Sequence, residues 1–234
     1  GYFADPGMKE VPDLARLGFP IAEVKADGNA VLSKVDGSGG LLSVATCKEQ
    51  LVYEVHDPSG YLTPDVVADF SAVKFNLLSE DRVEVTGGGG RERPRQLKVS
   101  VGFLDGYIGE GQISYAGLNA RKRAELAASV VGSRLELIDL KPREIRFDLI
   151  GVSALHGDSL SQHTADPYEV RLRVAAKMHT LDEACQIGNE VECLLTCGPY
   201  GGGGAVKSVR QLVTMKSTYV AQELICPDIH LIEV

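Results

Sequence analysis

A mixed α/β fold is predicted from three features of the sequence. Runs that alternate apolar and polar residues, two of them interrupted by Asp-Gly, read as strands in hairpins. Runs with apolar residues every three to four positions read as helices. The two kinds alternate along all 234 residues instead of segregating. The expected architecture is a mixed sheet with hairpins and flanking helices, part of a larger layered domain.

Taken in order, PDLARLG (Pro12 to Gly18) reads as a short helix stopped by glycine. FPIAEVKADGNAVLSK reads as a hairpin: Glu23 and Lys25 alternate with apolar neighbours, Asp27-Gly28 makes the turn, and Ala30 to Lys34 returns. In GGLLSVATCKEQLVYEVHD, residues Leu41, Val44, Ala45, Leu51, Val52 and Val55 lie near helical spacing. A helix opening directly after Gly39-Gly40 would offer unpaired amide groups to an anion.

SAVKFNLLSEDRVEVTG reads as a second hairpin, turning at Ser79 to Asp81, and LKVSVGFLDGYIGEGQISYAG as a third, with Asp105-Gly106 at its tip. Between them, GGGGRERPRQ reads as a surface turn in which Arg91, Arg93 and Arg95 are solvated. Asn119 is placed to cap the helix ARKRAELAASVVGSRLELI, and REIRFDLIGV reads as a strand ending at Gly151. PYEVRLRVAAK sets Tyr168, Val170, Leu172 and Val174 on one side and arginines on the other, as in a half-buried strand. LDEACQIGNEVECLLTCG is a helix that leads into a glycine segment, after which VRQLVTMKSTYVAQELI and IHLIEV read as extended. Leu140 to Arg143 and Thr164 to Pro167 are short connections, so residues 1–234 are read as one unit.

Composition narrows the function. With 44% hydrophobic and 24% charged residues, the chain can bury a sizeable core. A net charge of -8 opposes sequence-blind contact with nucleic acid, which needs a basic face to displace counterions. No apolar run reaches the roughly 18 residues of a membrane-spanning helix, and no basic-then-apolar leader opens the chain, so no membrane partner and a cytoplasmic location are expected. Gly1 stands where a methionine would begin a chain, which is expected of a piece of a longer polypeptide. The 5 cysteines include no C-x-x-C pair, against a zinc ribbon or a disulfide framework. Cys185, Cys193 and Cys197 fall on one helical stripe and are expected to pack inward.

The segment TCGPYGGGGAVKS, Thr196 to Ser208, carries the chemistry. A P-loop needs a glycine immediately before its Lys-Ser pair, and the dinucleotide fingerprint needs a third glycine; Val206 stands at both places. No cofactor is therefore assigned. What remains is a property of glycine itself. Gly201, Gly202, Gly203 and Gly204 can turn successive amide groups toward one concave point with no side chain in the way of a bulky anion. Lys207 and Arg210 would add charge and Ser208 a hydrogen-bond donor. A tight crossing of two backbones, or a mobile lid, would use the same glycines. In an ordered element each costs roughly 0.5 to 1 kcal/mol relative to alanine, so the run serves a purpose, but the cost does not distinguish ligand from packing.

ALHGDSLSQHTADPYE gathers His156, Asp158, Ser159, Ser161, His163 and Asp166. Such residues can build a nucleophile with its base or a metal site, although loop composition also accounts for them, and no metal is assigned. Glu190 and Glu192 flank Val191 and cannot share a helix face, so at most one meets the glycine segment. His156 and Glu190 are the acid/base candidates.

The stretches GYFADPG, LARLGFPIAEV, YLTPDVVADF, LKVSVGFLDGYIGEGQISYAG, DPYEVRLRVAAK and NEVECLLTCGPYGGGGAVKSVR together resemble the acyclic terpene utilisation (AtuA-type) family, associated with breakdown of citronellol and related branched isoprenoids. The resemblance runs from Gly1 to Val234 and is to the C-terminal half of the family's core domain. Members usually carry Asn where Cys197 stands. The resemblance implies a metabolic context more than a mechanism: breakdown of a branched or isoprenoid acid, through coenzyme A thioesters. It further implies as partners the N-terminal half of the same domain, a small anionic metabolite or acyl-CoA, and an oligomer of identical chains. A non-catalytic assembly protein and a regulatory ligand-binding module are the alternative readings.

Overall fold

The computed structural model describes residues 4–161, 166–226, 228, 230 and 232. The fold is mixed α/β, with antiparallel sheets and flanking helices. The chain divides into two compact units, residues 1–99 with 217–234, and residues 100–216. No helix among the described residues is long and apolar enough to cross a membrane.

In the first unit, a single 3-10 turn at Leu14–Arg16 stands where the first helix is predicted. Strands β1 (Ile21–Val24) and β2 (Ala30–Ser33) form the first hairpin, with Gly28 at φ +83° in its turn. Helix α1 (Val44–Val52) starts later than the glycine pair suggests. Its N-cap is Ser43, whose hydroxyl accepts from the Thr46 amide while Thr46 bonds back to the Ser43 amide.

Strands β3 (Tyr61–Leu62) and β4 (Val67–Asp69) follow, then β5 (Lys74–Ser79) and β6 (Arg82–Thr86), the second predicted hairpin. β1, β2, β6 and β5 make a four-stranded sheet whose core is Leu42, Cys47 and Val83. The expected solvated turn at residues 87–96 is a correction. Gly89–Arg91 is strand β7, the third member of the order β3-β4-β7. Arg91 donates to the Ser59 carbonyl at 2.8 Å, so its charge is engaged by backbone.

Strand β8 (Gln96–Ala116) corrects the third hairpin, because it runs unbroken through Asp105-Gly106. Gly106 takes φ +86° there, and a Cβ on it would lie 2.2 Å from the Met178 carbonyl oxygen, a site only glycine fits. Asp105 is tied down instead of turning: it accepts from Lys177 at 2.5 Å, Arg143 at 2.8 Å and Thr214 at 2.8 Å. Asp-Gly thus marks a kink between neighbours, not a chain reversal.

Helix α2 (Ala120–Leu137), strand β9 (Glu144–Ile150), helix α3 (Asp158–Ser161) and strand β10 (Glu169–Met178) come next. Helices α4 (Leu181–Glu192) and α5 (Leu194–Cys197) then lead to strand β11 (Gly203–Ala221). Asn119 occupies the α2 cap position at φ +61° without a side-chain capping bond. The strands order as β11-β8-β10-β9.

The predicted alternation in β10 holds: Val170, Leu172, Val174, Ala176 and Met178 are buried, although Tyr168 is exposed. They meet Ala120, Ala124, Ala127, Val131 and Leu135 of α2, a stripe at helical spacing, and Ala184, Ile187 and Val191 of α4. α4 seats very close to the sheet. A Cβ on Gly109 would stand 2.0 Å from the Ala184 carbonyl oxygen, and one on Gly111 2.6 Å from Val191. The expected burial of the cysteine stripe is a correction: Cys185 and Cys193 are half-buried and Cys197 is exposed.

Candidate functional site

The glycine segment lies at the entry to edge strand β11, within the second unit. Gly201 and Gly204 take left-handed backbone angles of φ +73° and +62°, which bend the chain at both ends of the run. Gly202 sits on the core: an added Cβ would lie 2.9 Å from Ile113 and 3.1 Å from the ring of Tyr115. Gly203 has open space around it. For Gly202 the close-packing role therefore holds, and for Gly203 it does not.

Two guanidinium groups grip the segment. Arg123, in the first turn of α2, donates to the Tyr200 carbonyl at 2.8 Å and to the Ala116 and Leu118 carbonyls at 2.6 and 3.0 Å. Its carbon stands 6.0 Å from the Tyr115 ring centre and 5.8 Å from that of Tyr200. Arg171 of β10 donates to Gln112 at 2.5 Å, to Ser114 at 2.9 Å and to the Gly204 carbonyl at 3.2 Å. A peptide's N–H points opposite its C=O, so with the Tyr200 oxygen drawn to Arg123 the Gly201 N–H turns away from that cation.

Strand parity divides the basic residues predicted to act together. Lys207 points to the helix side, where its Nζ meets the Asn189 side chain at 3.0 Å and the Glu192 carboxylate at 2.5 Å. Ala205 and Val209 pack on the same side. Ser208 and Arg210 are exposed and, by the alternation of β11, lie on the other face. There Arg210 faces Glu110. Burial pushes the Glu110 carboxyl up, but bonds from Arg173 and Gln112 and the charges of Arg173 and Arg210 outweigh that and hold it below the usual carboxylate range.

This second face carries a charged row across the sheet. Arg173 bonds Glu110 at 2.6 Å and Asp148 at 2.8 Å, and Arg146 bonds Asp148 at 2.8 Å.

Of the acid/base candidates, Glu190 is buried on α4 and accepts from Arg134 of α2 at 2.5 Å. The other member of the pair, Glu192, holds Lys207, so the two glutamates do take different partners. Arg134 also senses Cys197 and Cys193, and Cys197 acts on Tyr115, so this acid, two thiols and a phenol occupy one neighbourhood. His156 is exposed in the turn after β9. β9 and β11 are opposite edges of the sheet. His163 lies outside the described residues.

Arg123, Arg134, Arg171 and Tyr115 were not singled out from the sequence. One signal was available: Arg121, Lys122 and Arg123 crowd the first turn of α2, where the helix dipole disfavours cations, so something other than helix stability holds them there. No group of three or more His, Cys, Asp or Glu suited to a metal ion occurs among the described residues.

A model of the family described as acyclic terpene utilisation family protein AtuA matches residues 1–231. Neither a curated protein nor a solved structure matches the chain.

Proposed function

The chain belongs to the acyclic terpene utilisation family, and from that premise we propose that it binds a branched or isoprenoid acid, free or as its coenzyme A thioester, and serves its breakdown. The anionic end of the ligand would sit at Gly201–Gly204. The observation that carries this reading is a polar seat with an apolar border. Arg123 and Arg171 flank the glycine segment, while Leu118 and Tyr200, whose carbonyls converge on Arg123, are 89% and 88% exposed. A ligand with an anionic head and a branched hydrocarbon body matches both parts. Glu190, on the helix side of the sheet, and His156, in the turn after β9, are the acid/base candidates.

Titration calorimetry on the intact protein with isovaleryl-coenzyme A, isovalerate, coenzyme A and inorganic phosphate tests the reading. Isovaleryl-coenzyme A or isovalerate is expected to bind, and Arg123→Lys, which keeps the charge but loses the planar fork, to weaken binding about tenfold. No heat from any of the four compounds would sink it.

The exposure of Leu118 and Tyr200 also suits an assembly role. In that case replacing Gly202 and Gly203 by alanine changes the oligomer mass without changing ligand affinity.

A further inference from the structure

We propose that the Tyr115 hydroxyl and the Arg123 Nε–H form a two-donor site for an acyl oxygen, either of a carboxylate or of a thioester carbonyl, beneath the Gly202 backbone. The proposal rests on the binding reading above and specifies which atoms meet the ligand.

Tyr115 is fully buried, and its hydroxyl has no hydrogen-bond partner; the Arg123 Nε is likewise buried without one. Buried polar groups are nearly always satisfied, because one left without a partner has lost water and gained nothing in return. Two such orphans on neighbouring elements, with the Arg123 guanidinium carbon 6.0 Å from the Tyr115 ring centre, are therefore a marked departure. Arg123 donates three of its four Nη hydrogens to the Tyr200, Ala116 and Leu118 carbonyls, which fixes the guanidinium, while its buried Nε–H has no partner.

The Arg123 Nε–H can only donate and the Tyr115 hydroxyl can donate, so an anionic or carbonyl oxygen completes both at once, which a cation does not. Burial raises the phenol, the Cys197 thiol adds to this and Arg123 opposes it; the net rise keeps the hydroxyl protonated, hence a donor, at neutral pH.

The hydroxyl end of the ring lies toward the glycine segment. A Cβ on Gly202 would stand 3.3 Å from Cζ, the carbon that bears the hydroxyl. A side chain there would fill the space over the phenol, which gives Gly202 a reason to be glycine besides its contact with Ile113. Carboxylates and thioester carbonyls accept two hydrogen bonds on one oxygen or one on each of two, so a pair of fixed donors suits them.

Tyr115→Phe removes one donor and keeps the ring. In the intact protein it is expected to weaken isovalerate and isovaleryl-coenzyme A about tenfold, while coenzyme A, which lacks the acyl oxygen, binds as before. The thermal midpoint should hold or rise, because an unpartnered hydroxyl leaves the core. Equal affinity of Tyr115→Phe and the parent for the acyl ligands overturns the proposal and leaves the binding reading intact. So does a lowered midpoint with all three ligands weakened in parallel, which marks the hydroxyl as structural. If the parent protein binds none of the panel, the binding reading itself fails and the proposal falls with it.

Discussion

The two units hold themselves together in different ways. Residues 100–216 bury a continuous core of 16 residues that joins two helices to one face of a four-stranded sheet. Among the described residues of the first unit, Leu42, Cys47 and Val83 form one small buried cluster, and turns are fastened locally, with Asp27, Asp57 and Asp69 each bonded to an amide two residues on. Long-range packing is cooperative and rigid, while local turns cost little to open one at a time. The glycine segment and its two arginines belong to the rigid unit, as a site that must hold donors in fixed positions requires.

The strongest way to break this contrast is Gly109→Ala. The new Cβ meets backbone oxygen that cannot move without lifting α4 from the sheet. A loss on the order of 3 kcal/mol is expected in denaturant melts, with amide protection lost across residues 100–216 as one block. Piecemeal loss would show that the second unit is not cooperative.

Val83→Ala tests the small core of the first unit. Val83 is fully buried, and removing two methyl groups costs roughly 2 kcal/mol. Hydrogen exchange should rise in β2, β5 and β6 while residues 100–216 stay protected.

Within the glycine segment, Gly204→Ala forces a side chain into the left-handed region and should cost about 1 kcal/mol. Gly203→Ala meets nothing and should lie within a few tenths of a kcal/mol of the parent. Equal costs at the two positions would mean that the bend is not held as described.

The smallest effect is a pH response. Asp105 is held well below the usual carboxylate range by bonds from Lys177, Arg143 and Thr214, partners distant in sequence that only the folded chain supplies. Its folded pKa lies below the unfolded one, so its stabilisation is fully present above the unfolded value of about 4 and is lost progressively as pH falls from there toward the folded pKa. Asp57 is lowered chiefly by Ser59, two residues away, a contact the unfolded chain can keep. Asp105→Asn is therefore expected to flatten the acid limb of the melting curve for the second unit. Asp57→Asn should leave the first nearly unchanged.

Most of the fold was legible because strand and helix periods are local. β5 with β6, β9, β10 and α2 follow directly from spacing in the sequence. The failures share one cause. Asp105-Gly106 has the composition of a turn, but Lys177, Arg143 and Thr214 lie 72, 38 and 109 residues away and hold it extended. Gly89-Gly90 has the composition of a loop, but β4 pairs with it. The site shows the same limit. The glycine segment could be found by eye, whereas Arg123, Arg171 and Tyr115 meet it only through packing, and the parity of β11 separates Lys207 from Ser208 and Arg210.

The sequence by itself determined the family, the α/β class and the glycine segment, because motif and periodicity are carried by neighbouring residues. Only the tertiary structure decided which side chains face those glycines. Strand order and helix seating bring to the glycines residues 33 to 89 positions away along the chain, and no local pattern encodes which of them will touch.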